Sequence, residues 1–353
     1  VQTCALPIYR GRQRGGEALM GVVFERPSLW QRLKPVFGGF DGPLAVAVLI
    51  LAVIGLVTMY SAGYDSGTRF GDHGRNMLIA LVVLFLAAQV PPQKLQQLAV
   101  PLYVVGVVLL VATAIPGLGI TKKGATRWLN LGLVIQPSEI MKIAMPLMLA
   151  WWFQKREGQL RVLDFAIAGA LLAVPAALII KQPDLGTALL VLAAGLGVIF
   201  FAGLSWKLVL PVMLLGAAAV VAIIVAEPTI CQDGVRWPLL REYQQHRVCT
   251  LLDPSKDPLG KGFHIIQGMI AIGSGGVTGK GFMSGTQTHL EFIPERTTDF
   301  IFAAFCEEFG LIGVVVLALA FLFLIFRGLM IAAEGPTVFT RLLAGAVSLS
   351  FFT

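Results

Sequence analysis

Charge-free apolar runs divide this chain into segments of similar length. Runs of 16 residues or more without Asp, Glu, Lys or Arg recur along the sequence. About 20 apolar residues in an α-helix cross the roughly 30 Å hydrocarbon core of a membrane. With 56% hydrophobic and 13% charged residues, the chain is predicted to be an all-α polytopic membrane protein. Spans are predicted near residues 43–63, 76–95, 98–118, 137–154, 165–181, 185–206, 208–226 and 299–326, with a ninth starting near 342.

The two ends of the sequence are interpreted separately. Met20 is the expected natural start, so residues 1–19 are interpreted as upstream or non-native sequence and left out of the fold. Residues 20–42 are expected to be a cytoplasmic N-terminal segment, followed by a membrane domain over 43–353. Because the ninth span is cut off at Thr353, we expect the protein to be incomplete.

The Lys and Arg residues between spans predict the orientation, because cytoplasmic loops carry an excess of them. If the spans alternate, one membrane face collects most of these cations and is predicted to be cytoplasmic. The opposite face carries residues 227–298, and in a bacterial inner membrane that face is the periplasm. The net charge of +7 is then mainly anchoring charge, and nucleic acid is not an expected partner. The cytoplasmic cations are Arg26, Arg32, Lys34, Lys94, Lys155, Arg156, Arg161, Lys207, Arg327 and Arg341.

A long polar block interrupts the apolar pattern before the eighth span. Residues 227–299 hold 15 of the chain's 47 charged residues and three of its four histidines. Such a block predicts chemistry or recognition on the outer face. Cys231 and Cys249 lie in it 18 positions apart, where the periplasm permits a disulfide; two unrelated thiols are the alternative. Cys306 lies in a span and is expected to fill space as a small apolar side chain.

A glycine cluster over residues 273–281 invites comparison with a nucleotide-binding loop. The positions that a P-loop requires hold Ser274 and Gly281 instead of Gly and Ser or Thr, so that function is excluded. We expect a flexible exterior loop whose backbone approaches a ligand or the membrane surface closely, with a simple turn as the alternative. The preceding segment 262–270 is amphipathic and predicts a short interfacial helix.

Three cations stand on the exterior side, where the topology rule disfavours them. Lys122, Lys123 and Arg127 all fall in the loop between the third and fourth spans. An anionic partner at the outer surface would explain this exception.

Three of the predicted spans carry ionisable residues where the hydrocarbon disfavours them, five residues in all. Such residues are functional candidates because a membrane tolerates them only when they face a cavity or a partner. Glu139 and Lys142 are spaced i, i+3 on one helix face, so a self-neutralising structural pair is the alternative. Asp184 stands at a span boundary, where solvation is the alternative. The other two are Glu307 and Glu308.

Asp299 stands at the outer end of the eighth span. Thr297 or Thr298 is expected to cap that helix, which would place Asp299 in its first turn beside Glu295 and Arg296. A carboxylate there is placed to take a proton from a substrate hydroxyl. Stabilisation of the helix N-terminus is the alternative, and the residues alone favour it.

Five ordered motifs resemble the SEDS family, and its rod-shape branch RodA more than its division branch FtsW. The resemblance implies a ten-helix bundle, of which about nine helices fall in this sequence. It also implies a peptidoglycan glycosyltransferase that polymerises lipid II during cell elongation, with a class B penicillin-binding protein and the elongation machinery as partners. The motifs are Gln136–Glu139, Gln182–Thr187, Asp257–Gly260, Ala271–Gly276 and Pro294–Phe300.

The resemblance also implies roles for individual residues. Asp299 matches the family's proposed catalytic aspartate, and Glu139 and Lys142 match a conserved pair in the fourth span. Arg127 and Asp184 match polar positions that face the exterior cavity, and Arg296 in the Asp299 motif is a candidate substrate-binding residue. Residues 228–242 depart from the pattern as an expanded loop without an assigned role.

The implied reaction fits these residues. A pyrophosphate leaving group needs cations, which Lys122, Lys123 and Arg127 are placed to supply, with Mg²⁺ or Mn²⁺ as the candidate cofactor and no metal ligand assigned. Asp299 would be the base for the attacking sugar hydroxyl. The change from an α to a β linkage predicts a single inverting displacement. A flippase for a lipid-linked precursor and a non-catalytic elongation scaffold are the alternative functions.

Overall fold

Helices dominate the structure, a computed structural model that describes residues 38–65, 67–115, 117–122, 125–130, 132, 134–232, 235, 237 and 242–352. The interpretations of residues 1–37, including the Met20 start and the first cytoplasmic cations, lie outside the described residues. Residues 233, 234, 236 and 238–241 of the expanded loop lie outside them as well.

The elements follow one another in the order that the hydropathy pattern predicts. The helices are α1 (Gly42–Ala62), α2 (Arg69–Ala88), α3 (Pro92–Thr113), α4 (Pro137–Gln154), α5 (Val162–Lys181), α6 (Leu185–Phe201), α7 (Trp206–Ile230), α8 (Glu242–Leu252), α9 (Lys261–Ser274), α10 (Thr286–His289), α11 (Ile301–Ala333) and α12 (Val338–Ser350). A 3₁₀ turn covers Pro254–Lys256, and the strands are β1 (Gly119–Lys122), β2 (Ala125–Asn130) and β3 (Val134–Ile135).

Six of the described helices are long and apolar enough to cross a membrane, namely α1, α2, α3, α5, α7 and α11, and α6 and α12 are shorter apolar helices. The predicted helical bundle is therefore confirmed, although some boundaries differ. The second span lies at Arg69–Ala88 and not at 76–95. Its first two turns carry Asp72 and Arg75, which pair at 3.2 Å. Charged residues of this kind hide a helix start from a hydropathy pattern.

A small antiparallel sheet was not predicted between α3 and α4. Its strand order is β1-β2-β3, with Ile120 opposite Trp128 and Leu129 opposite Ile135. The sheet turns the segment between α3 and α4 into a fixed platform that carries Arg127 on its middle strand.

The packed core lies among α3, α4, α5, α6 and α12. Small residues let these helices approach closely: a Cβ on Gly106 of α3 would come within 2.4 Å of Met141 Sδ, and one on Gly195 within 2.4 Å of Leu172 Cδ1. Helix α11 packs against α1, α9 and α12. No described residue of α2 or α7 is buried, so both present their sides outward, as helices in contact with lipid do.

Candidate active site

Polar side chains meet in two groups at the end of the bundle where α11 begins, called here the Asp299 end. The first group, the Asp184 cluster, consists of Arg127, Gln136 and Asp184. The second, the Asp299 rim, consists of Asp65, Arg296 and Asp299. No hydrogen bond or ion pair among the described residues joins the two groups.

Asp184 is buried and held from three directions. It is the N-cap of α6, where Oδ1 accepts from Thr187 N at 3.3 Å. Gln136 Nε2 donates to Oδ2 at 3.1 Å, and Arg127 Nη1 lies 3.6 Å from Oδ1. The helix N-terminus and the guanidinium both stabilise a carboxylate. Asp184 is therefore held in one position, and because it is buried the alternative of a solvated boundary residue is wrong.

Arg127 reaches the Asp184 cluster from β2. Its Nη2 donates to the backbone carbonyl of Pro183 at 2.6 Å, beside the ion pair with Asp184. The structure brings Arg127 and Asp184 together, and one side of the guanidinium is bound to the Pro183 carbonyl. That both residues face a substrate cavity stays a prediction. Of the other two predicted cations, Lys122 ends β1 and Lys123 lies outside the described residues.

Glu139 and Lys142 form the predicted ion pair in the first turns of α4, with 2.7 Å between Lys142 Nζ and Glu139 Oε2. Both side chains are partly exposed. Lys142 also lines a cavity of about 480 Å³ whose walls include Leu190, Leu343 and Val347. Lys142 thus places its cation at a mainly apolar cavity between α4, α6 and α12.

Asp299 is exposed in the turn that precedes α11. The N-cap of α11 is Phe300, without a side-chain hydrogen bond. The expectation that Thr297 or Thr298 caps the helix with Asp299 in the first turn is wrong, because both hydroxyls have other partners. Thr297 Oγ1 accepts from Arg69 Nη1 at 2.8 Å, and Thr298 Oγ1 donates to Glu295 Oε2 at 2.9 Å. The Asp299 carboxylate accepts no hydrogen bond from the described residues.

Arg296 is buried, and its assignment as a substrate-binding residue stays a prediction. Its Nη2 lies 2.6 Å from Asp65 Oδ2, and its Nε donates to the Ala62 carbonyl at 2.9 Å. The guanidinium also lies 5.6 Å from the centre of the Tyr64 ring, within the range of a cation–π contact. The hydrogen bond from Arg296 holds the pKa of Asp65 below its usual range. Arg296 therefore fastens the segment before α11 to the end of α1.

Glu307 and Glu308 have partners inside the protein, as expected for charges in a span. Glu307 is fully buried and pairs with Lys280 Nζ at 2.7 Å. Glu308 accepts from the hydroxyl of Ser61 on α1 and lies 4.0 Å from His289 Nδ1. These contacts join α11 to α1 and to the loop before it.

The glycine cluster packs closely against the backbone of α11. A Cβ on Gly279, which has φ +78°, would meet Glu308 O at 2.1 Å, and one on Gly275 would meet Cys306 O at the same distance. A side chain at either position would force the two backbones apart. The glycines are thus explained by close backbone packing.

The predicted disulfide between Cys231 and Cys249 is present, with 5.6 Å between the Cα atoms. It joins the end of α7 to α8, and Lys256 pairs with Glu227 beside it. Cys306 is a buried free thiol, as expected. Among the described residues no group of three or more His, Cys, Asp or Glu side chains is placed to hold a metal ion, so the divalent ion stays a prediction.

The sequence profile of the FtsW, RodA and SpoVE family, described as cell cycle proteins, matches residues 43–353. The chain belongs to this family. It is 43% identical over 315 residues to the peptidoglycan glycosyltransferase MrdB of Escherichia coli K12, covering 88% of this chain and 81% of that protein. It is 34% identical over 322 residues to a probable peptidoglycan glycosyltransferase FtsW of Geobacter sp. M18, covering 88% and 84%.

Solved structures agree with these relatives. A chain of a peptidoglycan synthase complex, solved to describe how polymerization and crosslinking are coordinated, superposes with a TM-score of 0.67 at 32% identity, covering 88% of this chain and 83% of that one. The rod shape determining protein RodA of Thermus thermophilus superposes with a TM-score of 0.59 at 25% identity, covering 88% and 81%. The bundle described above is therefore the fold of this family.

Proposed function

We propose that this protein is a peptidoglycan glycosyltransferase that polymerises lipid II into glycan strands at the outer face of the bacterial cytoplasmic membrane during elongation. The observation that carries the proposal is the position of Asp299. Its carboxylate is exposed and has no partner among the described residues, and it lies between the start of α11 and Arg296, which is bound to Asp65. A base must be free to accept a proton, and Asp299 differs in this from Asp65, Asp184, Glu307 and Glu308. Relatives named as peptidoglycan glycosyltransferases support the same reaction.

The reaction is a single displacement at the anomeric carbon of the donor. The acceptor sugar 4-hydroxyl attacks that carbon from the face opposite the pyrophosphate. As the new C–O bond forms, the bond to the pyrophosphate oxygen breaks with its electron pair, and Asp299 takes the hydroxyl proton. One displacement inverts an α linkage to β, so the enzyme needs no nucleophile of its own. Asp299 acts only as the base.

The departing pyrophosphate gains negative charge, which cations stabilise. Lys122, Lys123 and Arg127 are assigned this role. Arg127 keeps 23% of its side chain exposed although it also binds Asp184, so it can add an anionic ligand to its partners. A Mg²⁺ or Mn²⁺ ion, where present, would supply further positive charge to the phosphates. Lys142 lines a mainly apolar cavity. Its ammonium could bind a phosphate while the cavity holds part of a hydrocarbon chain, so the two together suit a lipid phosphate.

A class B penicillin-binding protein is the proposed partner. Support comes from the synthase complex that the chain resembles, in which polymerization accompanies crosslinking. The polymerase would lengthen strands beside a domain that links them, as part of the elongation machinery.

Polymerisation of labelled lipid II by the purified protein in lipid nanodiscs tests the proposal. We expect the wild-type protein to make glycan polymer and Asp299→Asn and Asp299→Ala to make none while inserting normally. Asp72→Asn is the matched control, because Asp72 is an exposed carboxylate at the same end of the bundle and should keep full activity. Wild-type rates from Asp299→Asn would overturn the role of the base. Movement of lipid II across vesicle membranes without polymer would favour a flippase.

A further inference from the structure

We propose that Glu307 is a positioning residue of this enzyme. Its buried carboxylate and the Lys280 ammonium form a latch that fixes the loop leading to Asp299. The inference rests on the proposed function, because it assigns Asp299 the chemistry and gives Glu307 the task of placing it. Glu307 itself has no access to substrate, since its side chain is fully buried.

The Glu307 carboxylate is saturated with donors from one short segment. Lys280 Nζ donates to Oε1 at 2.7 Å, and Gln287 N donates to the same oxygen at 2.8 Å. Thr288 gives Oε2 both its amide at 3.0 Å and its hydroxyl at 2.9 Å. Thr286 Oγ1 adds a longer contact of 3.3 Å to Oε1. A buried charge is tolerated only when it is paired and hydrogen-bonded, and this one obtains every bond from residues 280–288.

The backbone reinforces the latch where α11 is interrupted. Gly310 has φ +59° and ψ −161°, which breaks the helix. On one side of the break, Lys280 N and Gly281 N donate to the carbonyls of Glu307 and Glu308 at 2.9 and 3.0 Å. On the other side, Leu311 N and Ile312 N donate to the carbonyls of Gly276 and Val277 at 3.0 and 3.1 Å. The loop therefore occupies the hydrogen-bonding positions that the break opens in α11.

The latch acts on Asp299 through a short piece of chain. Thr288 is bound to Glu307, and Phe300 begins α11, so the segment between them has both ends fixed on the same helix. Tyr64 Oη donates to the His289 carbonyl at 2.6 Å, and Arg296 holds the middle of the segment to α1. Asp299 lies in this segment, and its carboxylate has no hydrogen bond to the part of the chain that the structure describes. Its position is consequently set by the anchors around it, and Glu307 is the one with the most bonds.

Steady-state kinetics separate this role from general stabilisation. Loss of the latch should misplace the base without removing the cations that bind the substrate. Since a displacement of about 1 Å can cost about 10²-fold in rate, Glu307→Gln and Lys280→Met should each lower kcat for lipid II at least about tenfold. KM should stay within about threefold in the protein that remains folded. Glu334→Gln, an exposed carboxylate at the other end of α11, is the matched control and should leave both constants unchanged.

Hydrogen exchange in nanodiscs gives a readout that does not depend on activity. Both latch variants should raise exchange in residues 276–298 and leave α3 to α6 unchanged. The double variant should be no worse than either single one, because the two residues share one interaction. Raised exchange with unchanged kcat, or a loss confined to KM, would overturn the positioning role, and unchanged exchange would overturn the latch. An inactive Glu307→Gln beside a fully active Asp299→Asn would instead refute the proposed base.

Discussion

Arg296 and Asp65 form an ion pair, 2.6 Å from Nη2 to Oδ2, across 231 positions of the chain. Arg296 is 5% exposed, whereas 32% of the Asp65 side chain is open to solvent. The pair therefore binds the turn after α1 to the segment before α11 at the surface of the bundle. Since Asp299 follows Arg296 closely in sequence, the pair also limits where the proposed base can lie.

The Asp65 pair predicts a pH dependence of stability. The Arg296 hydrogen bond lowers the pKa of Asp65 in the folded protein, so its stabilisation is full above the unfolded pKa of about 3.9 and is lost as the pH falls through the folded value. Asp65→Asn should therefore lower the melting temperature at pH 6, with the difference shrinking below about pH 4. Thermal unfolding in detergent at a series of pH values measures this difference in melting temperature. Asp72→Asn serves as control, and a difference that grows towards acid pH would contradict the prediction.

Removal of the exterior cations should weaken use of the substrate. In the triple variant Lys122→Gln, Lys123→Gln, Arg127→Gln we expect KM for lipid II to rise about tenfold or more, because each lost contact to a charged group contributes about 1.5–3 kcal/mol. The protein should still fold and insert. Arg75→Gln, a change to an exposed cation at the same end, is the control. If the polymerisation rate of the triple variant depends on lipid II concentration as in the wild type, these cations do not bind the substrate.

Glu139 and Lys142 can be tested as a pair. An exposed i, i+3 ion pair stabilises a helix by only about 0.2–0.5 kcal/mol, so a structural pair would show coupling of that size. A pair that acts together in the cavity should couple by more than about 1 kcal/mol in kcat/KM. A double-mutant cycle with Glu139→Gln and Lys142→Met measures both quantities. Additive effects of the two changes on kcat/KM would show that the residues have separate roles. If neither change affects kcat/KM, the ion pair has only a structural role.

The Cys231–Cys249 bridge should protect both thiols from a membrane-impermeant maleimide until the protein is reduced. Cys4→Ser is used as the background, so that only the bridge and the buried Cys306 remain. Loss of the bridge is expected to cost up to about 3 kcal/mol, because the link closes a loop of moderate length in the unfolded chain. Polymerisation should change little. Free labelling of Cys231 and Cys249 before reduction would show that no bridge forms.

Hydropathy predicts most of this fold, because each span must be apolar over a fixed length whatever its neighbours are. The early start of α2 was missed because Asp72 and Arg75 belong to a helix that continues beyond the apolar run. The sheet was missed too, although Ile120 and Thr121 precede a Lys-Gly pair that suits a hairpin turn. The three cations on either side of this turn are the stronger signal in the sequence, and they indicate an open loop as readily as a hairpin.

The site was predicted in part. Asp184, Glu139 and Lys142 were recognisable as charges where lipid excludes them. Gln136 belongs to one of the five family motifs, but nothing in the sequence indicates that its amide reaches Asp184. Asp65 lies in a short polar turn, and apart from its charge nothing in the sequence indicates that it pairs with Arg296. Such partners depend on which helices pack together, and local pattern does not determine that.

The break at Gly310 has a consequence for how this protein can vary. The amides and carbonyls released there are satisfied by residues 276–281, so a span and the loop that follows α9 share one set of hydrogen bonds. A residue inserted into that loop would leave several backbone groups of α11 unpaired within the membrane, where each costs several kcal/mol. Loops elsewhere can change length while the helices stay intact. This one is bound to keep its length for as long as the helix keeps its break.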